Sequence, residues 1–520
     1  MGLPESFLNK FARLLPNQEF HYFKKALNTR PRLKAFRNHP LKDGSKTKGQ
    51  PPFQSSIPWS GQGFFSETVS VGAGNIAHDS GVFYSQDASA QAVVGLFERE
   101  IAEKALEKGR TKQFLVLDAC SSPGGKSTQL LDAIRKASRS VLVVADHDKG
   151  SRKKALGENI ERWGYPNAIV VQSSLQNLAA QRSWANQFDV VLLDAPCSLE
   201  SVLRRGQAVS WSDKRVEQAA RVQGVLLESA YKLLAPQGLL LYSTCTFSPE
   251  ENEAVVSEFV HNREDMELQD AAGKLKLTLR ESGIECKEAL ENTKGKAEWA
   301  QGGDGRLELC ARLWPTFLDE LVGPTDGHFI AAMKSVVDDD CPAYSCPAPA
   351  SFSEPTKAEV KVLRTFLDVS LSPAENLALQ LYMRSCTLLC RRGHLYLAPF
   401  SADEGFPVDF SNVNITSMGM YLGHAGSCFV PSRWLLYSMD VISPLGAAAV
   451  DCEGLELKRE SEIGRPRVSW WSENGARVIR TAQLDGIRSY WRVDNSYLLR
   501  GLPLVSGKPP RAKSRGKIRT

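Results

Sequence analysis

Between residues 114 and 261 strand-like and helix-like runs alternate, and this alternation restricts the fold more than any other feature of the chain. Residues 114–118, 141–145, 168–172, 190–194 and 239–242 are short and almost wholly apolar, as strands buried on both faces must be. Residues 127–136, 151–163, 213–234 and 249–261 carry the spacing of helices that cover such strands. The pattern predicts a doubly wound, Rossmann-like α/β sheet that binds its ligands at the carboxyl ends of the strands.

The flanks read differently. Residues 4–28 form an amphipathic helix interrupted near Pro16, with Phe7, Leu8, Phe11, Leu14, Leu15, Phe20 and Phe23 on its apolar face. Residues 42–74 are rich in Gly, Pro and Ser and read as a connection, whereas 87–108 are helical in pattern. The polar, irregular stretch 262–310 reads as an insertion or variable lobe, and 338–357 as a proline-marked linker. Beyond it, β-like runs at 394–398, 418–423, 427–430 and 476–481 predict a separate, mostly β module. A chain of 520 residues holds two to four domains. The expected divisions are an N-terminal helical/α+β module at 1–86, the α/β domain at 87–335, a linker at 336–358, a small connecting module at 359–410, a β-rich module at 411–503 and a basic tail at 504–520.

Composition excludes some classes of function. No apolar run approaches the roughly 18 residues that a membrane span needs, and the N-terminus lacks a signal-peptide pattern. The expected setting is the cytoplasm, with no membrane partner. In such a reducing compartment the 11 cysteines are thiols. Cys341/Cys346 and Cys386/Cys390 lack C-x-x-C spacing, and the second pair sits in an apolar segment, so no metal site is expected. A net charge of +5 permits a phosphate-binding surface without proving one. The acid-free stretch 508–519 is either a solvated tail or a flexible arm on phosphates.

Two groups of residues carry chemistry. Asp118-Ala-Cys120-Ser121-Ser122-Pro123-Gly124-Gly125-Lys126 follows a strand and opens a helix. Its glycines let backbone approach a ligand, and the helix N-terminus favours a carboxylate or phosphate. It is not a P-loop, since that motif needs glycine where Cys120 stands; a nucleotide-like cofactor site is the better reading, with a turn used only for packing as the alternative. At the ends of two later strands stand Asp194-Ala-Pro-Cys197 and Ser243-Thr-Cys245, both beside that loop. A lone cysteine is usually packing, but two at strand ends, one of them close to an acid, point to nucleophilic chemistry.

These residues resemble the Sun-family (NSUN-like) RNA cytosine-5 methyltransferases, and within them the ribosomal RNA small-subunit type. The resemblance runs over most of the chain. It includes Ile57-Pro-Trp59, the segment from His78 through Gly81 and Tyr84 to Gln86, and the cofactor loop. Asp194-Ala-Pro-Cys, Arg204-Arg205, Trp211, and Gln223 with Leu227 follow, then the highly specific Ser-Thr-Cys245-Thr-Phe-Ser-Pro-Glu-Glu251-Asn-Glu run. Arg312-Leu-Trp-Pro and Gly327-His-Phe-Ile complete it.

The resemblance implies a class I methyltransferase domain that uses S-adenosyl-L-methionine. It further implies that Cys245 is the nucleophile and that Cys197 assists product release. Asp194 would hold the cytosine, and Lys126 would lie near the reacting groups. Residues 120–126 would line the cofactor together with Asp194. Carbon 5 of cytosine is a poor nucleophile until a thiolate adds to carbon 6, which is why such a set is needed; the base must also leave its stack. RNA-binding roles are implied for residues 1–86 and for a PUA-like module at 411–503. The implied partner is ribosomal RNA or a small-subunit particle, with transfer RNA as the alternative; DNA is not expected, and the chain is expected to be a monomer. Three departures stand out. The acid that usually holds the cofactor ribose aligns at His147, flanked by Asp146 and Asp148. The acid on the adenine amine aligns near Ser174, and Leu199 and Ser201 replace two glycines after Pro-Cys-Ser. An RNA-binding or ribosome-assembly protein that has lost turnover is the reading these departures leave open.

Overall fold

The computed structural model describes residues 3–435 apart from 30, 43–51, 68–74, 110–111, 138, 148–149, 208, 285–290, 292, 316–318, 320, 339–345, 371–372, 385, 401–404 and 433–434; beyond 435 it describes the backbone of three strands.

Helices α1 (Glu5–Leu14) and α2 (Asn17–Asn28) lead the chain. Pro16 directly precedes α2, and its missing N–H and fixed φ separate the two helices as the sequence predicts. Strands β1 (Leu33–Asn38), β2 (Ser55–Ile57), β3 (Ser60–Glu67) and β4 (Phe83–Ser85) form an antiparallel sheet in the order β2-β3-β1-β4, with the short helix α3 (Ile76–Asp79) before β4. The two leading helices turn their aromatic face away from that sheet. Phe7, Phe11 and Phe23 pack with Trp211, Phe247 and Trp314 in one buried cluster, and Phe247 stacks on Trp314 at 5.5 Å between ring centroids.

Helices α4 (Ala88–Gly95) and α5 (Glu98–Lys108) precede the central sheet. It comprises β5 (Phe114–Ala119), β6 (Ser140–Asp146), β7 (Ala168–Gln172), β8 (Phe188–Asp194), β9 (Leu234–Thr244), β10 (Met266–Gln269), β11 (Ala311–Leu313) and β12 (His328–Ser335). The order is β10-β12-β9-β8-β5-β6-β7, with β11 off β12. Strands β5 to β9 run parallel, while β12 is antiparallel to β9 and to β10. Helices α6 (Gly125–Ile134) and α7 (Ser151–Trp163) cover one face with α4 and α5; α8 (Leu175–Ala179), α9 (Asp213–Leu233) and α10 (Glu253–His261) cover the other. Both faces are therefore dry, which explains the unbroken apolar strands.

The N-terminal sheet is pinned to this domain by Arg37 of β1. Its guanidinium donates to Thr128 Oγ1 at 2.6 Å and to Gln86 Oε1 at 3.1 Å, and pairs with the Asp132 carboxylate; both side chains are buried. Arg37 also lies over the Trp163 ring.

Two expectations are corrected. The stretch 262–310 is not merely a variable lobe: β10 pairs with β12, and α11 (Ala271–Glu281) buries Leu275 and Leu279 in the domain core. The boundary placed between 410 and 411 falls inside one folded unit. Helices α12 (Lys357–Ser370) and α13 (Pro373–Arg384) pack with a sheet of β13 (Thr387–Arg391), β14 (His394–Ala398), β16 (Met420–Ala425) and β17 (Phe429–Pro431). β14 pairs with β16 across the expected division, and β15 (Asn414–Met418) adds antiparallel to the β7 edge of the central sheet. Capping that edge removes an open row of backbone donors and acceptors. Most of the expected 411–503 module and all of 504–520 lie outside the described residues, except the antiparallel strands β18 (Val468–Glu473), β19 (Ala476–Thr481) and β20 (Tyr490–Arg492). Among the described residues no helix is long and apolar enough to cross a membrane, and no group of three or more His, Cys, Asp and Glu is placed to hold a metal ion. Cys341 lies outside the described residues.

Candidate active site

Strands β5, β6, β8 and β9 end, and the antiparallel β12 begins, along one edge of the central sheet. After β5 the chain enters a turn in which Cys120 (φ 65°) and Gly124 (φ 104°) are left-handed. A side chain at Gly124 would be strained by that φ and would come within 3.2 Å of Leu156. The turn leads into the ten-residue α6, whose N-terminus has no side-chain cap, so its first N–H groups are left for a ligand.

Neighbouring elements fix the loop. Ser121 Oγ donates to the Ala145 carbonyl at 2.8 Å, Asn159 Nδ2 to the Pro123 carbonyl at 2.7 Å, and the Ser122 N–H to Asp146 Oδ2 at 2.9 Å. Ser122 Oγ and Asp118 Oδ1 are buried without a protein partner. Burial pushes the Asp118 carboxyl up to about 7, against the hydrogen bond from Ser127. Burial, then Asp146 and Asp194, push the Cys120 thiol up to about 12. Cys120 therefore stays protonated and is no competitor for nucleophilic attack.

The other two thiols behave differently. Adjacent parallel pairing sets Asp194 of β8 opposite Ser243 of β9. The loops that follow thus run side by side and bring Cys197 Sγ to 3.3 Å from Cys245 Sγ. Both side chains are half-buried. The hydrogen bond from Cys197 is the largest influence on Cys245; with help from the Ser201 hydroxyl and Lys126 it outweighs burial and Asp194, and holds that thiol below its ordinary value. The same hydrogen bond, then burial and the charge on Cys245, pushes Cys197 well above its own. The first proton lost by the pair therefore leaves Cys245.

Two buried glutamates hold these loops in place, and neither was singled out from the sequence as a site residue. Glu200 accepts from Trp211 Nε1 at 2.6 Å, from Ser248 Oγ at 2.5 Å, and from the N–H groups of Phe247 and Ser248 at 2.8 and 3.0 Å. Glu251 accepts from the Ser198 N–H at 2.9 Å and from Gln223 Nε2 at 2.8 Å. Each glutamate ties the segment after one cysteine to the segment after the other. Leu199, between them, sits in the left-handed region at φ 61°, and the Ser201 N–H donates to the Cys245 carbonyl at 3.1 Å.

Asp194 lies beside the thiols. Its carboxylate accepts from Ser243 Oγ at 2.7 Å and pairs with Lys126 Nζ at 2.8 Å. Burial alone would raise this carboxyl, but the charge of Lys126 and the hydrogen bonds from Lys126 and Ser243 hold it below the ordinary carboxylate range. Asp194 is therefore an acceptor. Lys126 Nζ also lies 3.3 Å from His328 Nε2. His328 belongs to a segment the sequence analysis quoted without giving it a role. It starts an antiparallel strand and so reaches the site from the direction opposite to the parallel strand ends.

His147 is 75% exposed at its side chain, while Asp146 is turned onto the 120–124 loop. Asp148 lies outside the described residues. Ser174 caps α8, its hydroxyl accepting from the Asn177 N–H at 3.2 Å.

Comparison with known proteins adds to this geometry. Residues 105–318 match a family described as 16S rRNA methyltransferase RsmB/F, and residues 3–88 match the N-terminal domain of 16S rRNA methyltransferase RsmF. The chain is 35% identical over 389 residues to ribosomal RNA small subunit methyltransferase F of Vibrio vulnificus, covering 72% of this chain and 74% of that one. It is 30% identical over 345 residues to the protein of the same description from Psychromonas ingrahamii, covering 64% and 63%. Among solved structures it is similar to NSun6 from Pyrococcus horikoshii with SFG, at 19% identity and a TM-score of 0.47, covering 64% of this chain and 99% of that one.

Proposed function

The chain belongs to the 16S rRNA methyltransferase RsmB/F family, and from that premise we propose that it methylates carbon 5 of a cytosine in ribosomal RNA, with Cys245 as the nucleophile. One observation carries the assignment of roles: two thiols 3.3 Å apart share their protons unequally beside an ionised Asp194.

The residues of the 120–126 turn fit S-adenosylmethionine. The α6 N-terminus lacks a side-chain cap, Ser122 Oγ is unpartnered, and Asp146 closes the end of β6. Its carboxylate would hold the ribose hydroxyls, and the backbone of 121–125 the amino-acid end. When bound, S-adenosylmethionine supplies an electrophilic methyl group.

The remaining steps fall to this chain's residues. A flipped cytosine would place its exocyclic amine against Asp194, which accepts, and its N3 side against Lys126, which donates. The Cys245 thiolate forms a bond to carbon 6, and the displaced electron pair makes carbon 5 nucleophilic towards the methyl group. A base then takes the carbon 5 proton, that C–H pair re-forms the C5–C6 double bond, and the Cys245 thiolate leaves. Cys197 suits this last step. What raises it most is its hydrogen bond to Cys245; once that sulfur is bonded to carbon, the influence is gone, Cys197 loses its proton to solvent more readily, and its thiolate is the base that takes the carbon 5 proton.

A cleft of about 400 Å³ lined by Lys34, Ser85, Asp87, Arg205 and Asp326 lies between β1 and the catalytic domain. We assign RNA-holding roles to residues 1–86, to the C-terminal unit that begins with α12, and to the basic tail 504–520. Ser201, one of the departures from the family pattern, helps to hold the Cys245 thiol below its ordinary value, and this favours an active enzyme over a binding protein that has lost turnover. The test is transfer of labelled methyl from S-adenosylmethionine, with bisulfite mapping of the product. Ribosomal RNA and small-subunit particles are expected to acquire label at cytosine carbon 5. Label in transfer RNA alone overturns the substrate, and no label in any RNA overturns the activity.

A further inference from the structure

His328 is buried at the start of β12, one step from the Phe329–Thr244 register pair and so close to the Cys245 loop. Lys126 Nζ lies 3.3 Å from its Nε2, and Ser89 Oγ lies 3.1 Å from its Nδ1. A lysine ammonium can only donate. Nε2 must therefore be the bare acceptor, and the ring proton must sit on Nδ1, where it donates to Ser89 Oγ. The Ser89 hydroxyl proton in turn goes to Asp87 Oδ1. Asp87, the N-cap of α4, is itself held by the N–H groups of Ser89 at 2.9 Å and Asp326 at 3.1 Å. Only one tautomer satisfies every link from Asp87 to Lys126.

We infer that His328 is a positioning residue: its imidazole accepts from Lys126 and aims the ammonium group at Asp194 and at the pyrimidine beside it. The inference rests on the reading that Asp194 and Lys126 hold the cytosine. The charged groups that face the ring are Lys126 from α6, Asp194 from β8 and Asp87 ahead of α4; burial first, then Lys126, bring its pKa down to about 4. The ring is therefore neutral, and an acceptor, throughout the neutral range. A protonated ring would turn a second positive donor on Lys126 and expel it.

The test compares His328→Leu with His328→Gln in the full chain. A glutamine carbonyl can reach the Nε2 position and accept from Lys126; leucine cannot. His328→Leu is expected to lower kcat about 10- to 100-fold, because misplacing a catalytic contact by about 1 Å has that effect, while KM for RNA and affinity for S-adenosylmethionine change little. His328→Gln is expected to recover most of the loss. Equal losses in both variants, matched by their loss of folded protein, would mean a structural role and overturn the inference, as would native kcat in His328→Leu. Should the parent protein label no RNA, the functional reading fails separately. The ¹⁵N spectrum of histidine-labelled protein then decides: a proton on Nδ1 of His328 is expected, and a proton on Nε2 overturns the inference.

Discussion

Replacing Cys197 by alanine removes the donor that keeps Cys245 acidic while leaving Ser201 and Lys126 in place. Hydrogen bonds to charged groups contribute about 1.5–3 kcal/mol, and a thiol is a weak donor, so the lower figure applies. About 1.4 kcal/mol corresponds to one pKa unit. The Cys245 midpoint is expected to rise by about one pH unit, and its thiolate population near neutrality to fall about tenfold. The sign follows from the direction of the shift: a depressed thiol pKa means that reactivity climbs and levels off at lower pH than for an ordinary cysteine. Alkylation by iodoacetamide, followed by mass spectrometry of the Cys245 peptide across neutral and alkaline pH, reads both curves. An unchanged midpoint in Cys197→Ala, or one displaced to lower pH, would refute the claim that Cys197 polarises its neighbour.

Three further perturbations probe other parts of the account. Glu200→Ala strands the Trp211, Phe247 and Ser248 N–H groups and is expected to cost about 3–5 kcal/mol in urea unfolding; a cost under about 1 kcal/mol would show the loop to be held otherwise. Arg37→Ala leaves Asp132 buried without its ion-pair partner and is expected to cost about 3–5 kcal/mol, with Arg37→Ala/Asp132→Ala costing less than the sum of the two single changes. Asp146→Ala is expected to weaken S-adenosylmethionine binding about 10- to 100-fold by calorimetry, while His147→Ala leaves it nearly unchanged; the reverse order would return the ribose to His147.

The parts of this protein written locally are legible in its sequence. Buried parallel strands must be continuously apolar, so their positions and their carboxyl ends can be read, and Cys197 and Cys245 with them. Pro16 separates α1 from α2 for a reason visible in the residue itself. What escaped depends on contacts far apart in the chain. The edge strand β15 meets β7 across more than two hundred residues. A polar stretch conceals β10 and α11 because only one side of each is buried. Glu200 and Glu251 look like surface acids until the loops that bury them are assembled, and His328 reaches the site from a strand running the opposite way. A one-residue ambiguity at a strand end separates Asp146 from His147. Side chains alternate across a strand, and the turn after β6 hides from the sequence which of the two faces the 120–124 loop.

The central claim is that Cys245 attacks and Cys197 releases. The direct measurement is denaturing electrophoresis of Cys197→Ala and Cys245→Ala after incubation with ribosomal RNA substrate and S-adenosylmethionine. Cys197→Ala is expected to accumulate a protein–RNA adduct that survives denaturant, and Cys245→Ala none. An adduct in Cys245→Ala, or its absence in Cys197→Ala when the native protein methylates the same RNA, would contradict the account.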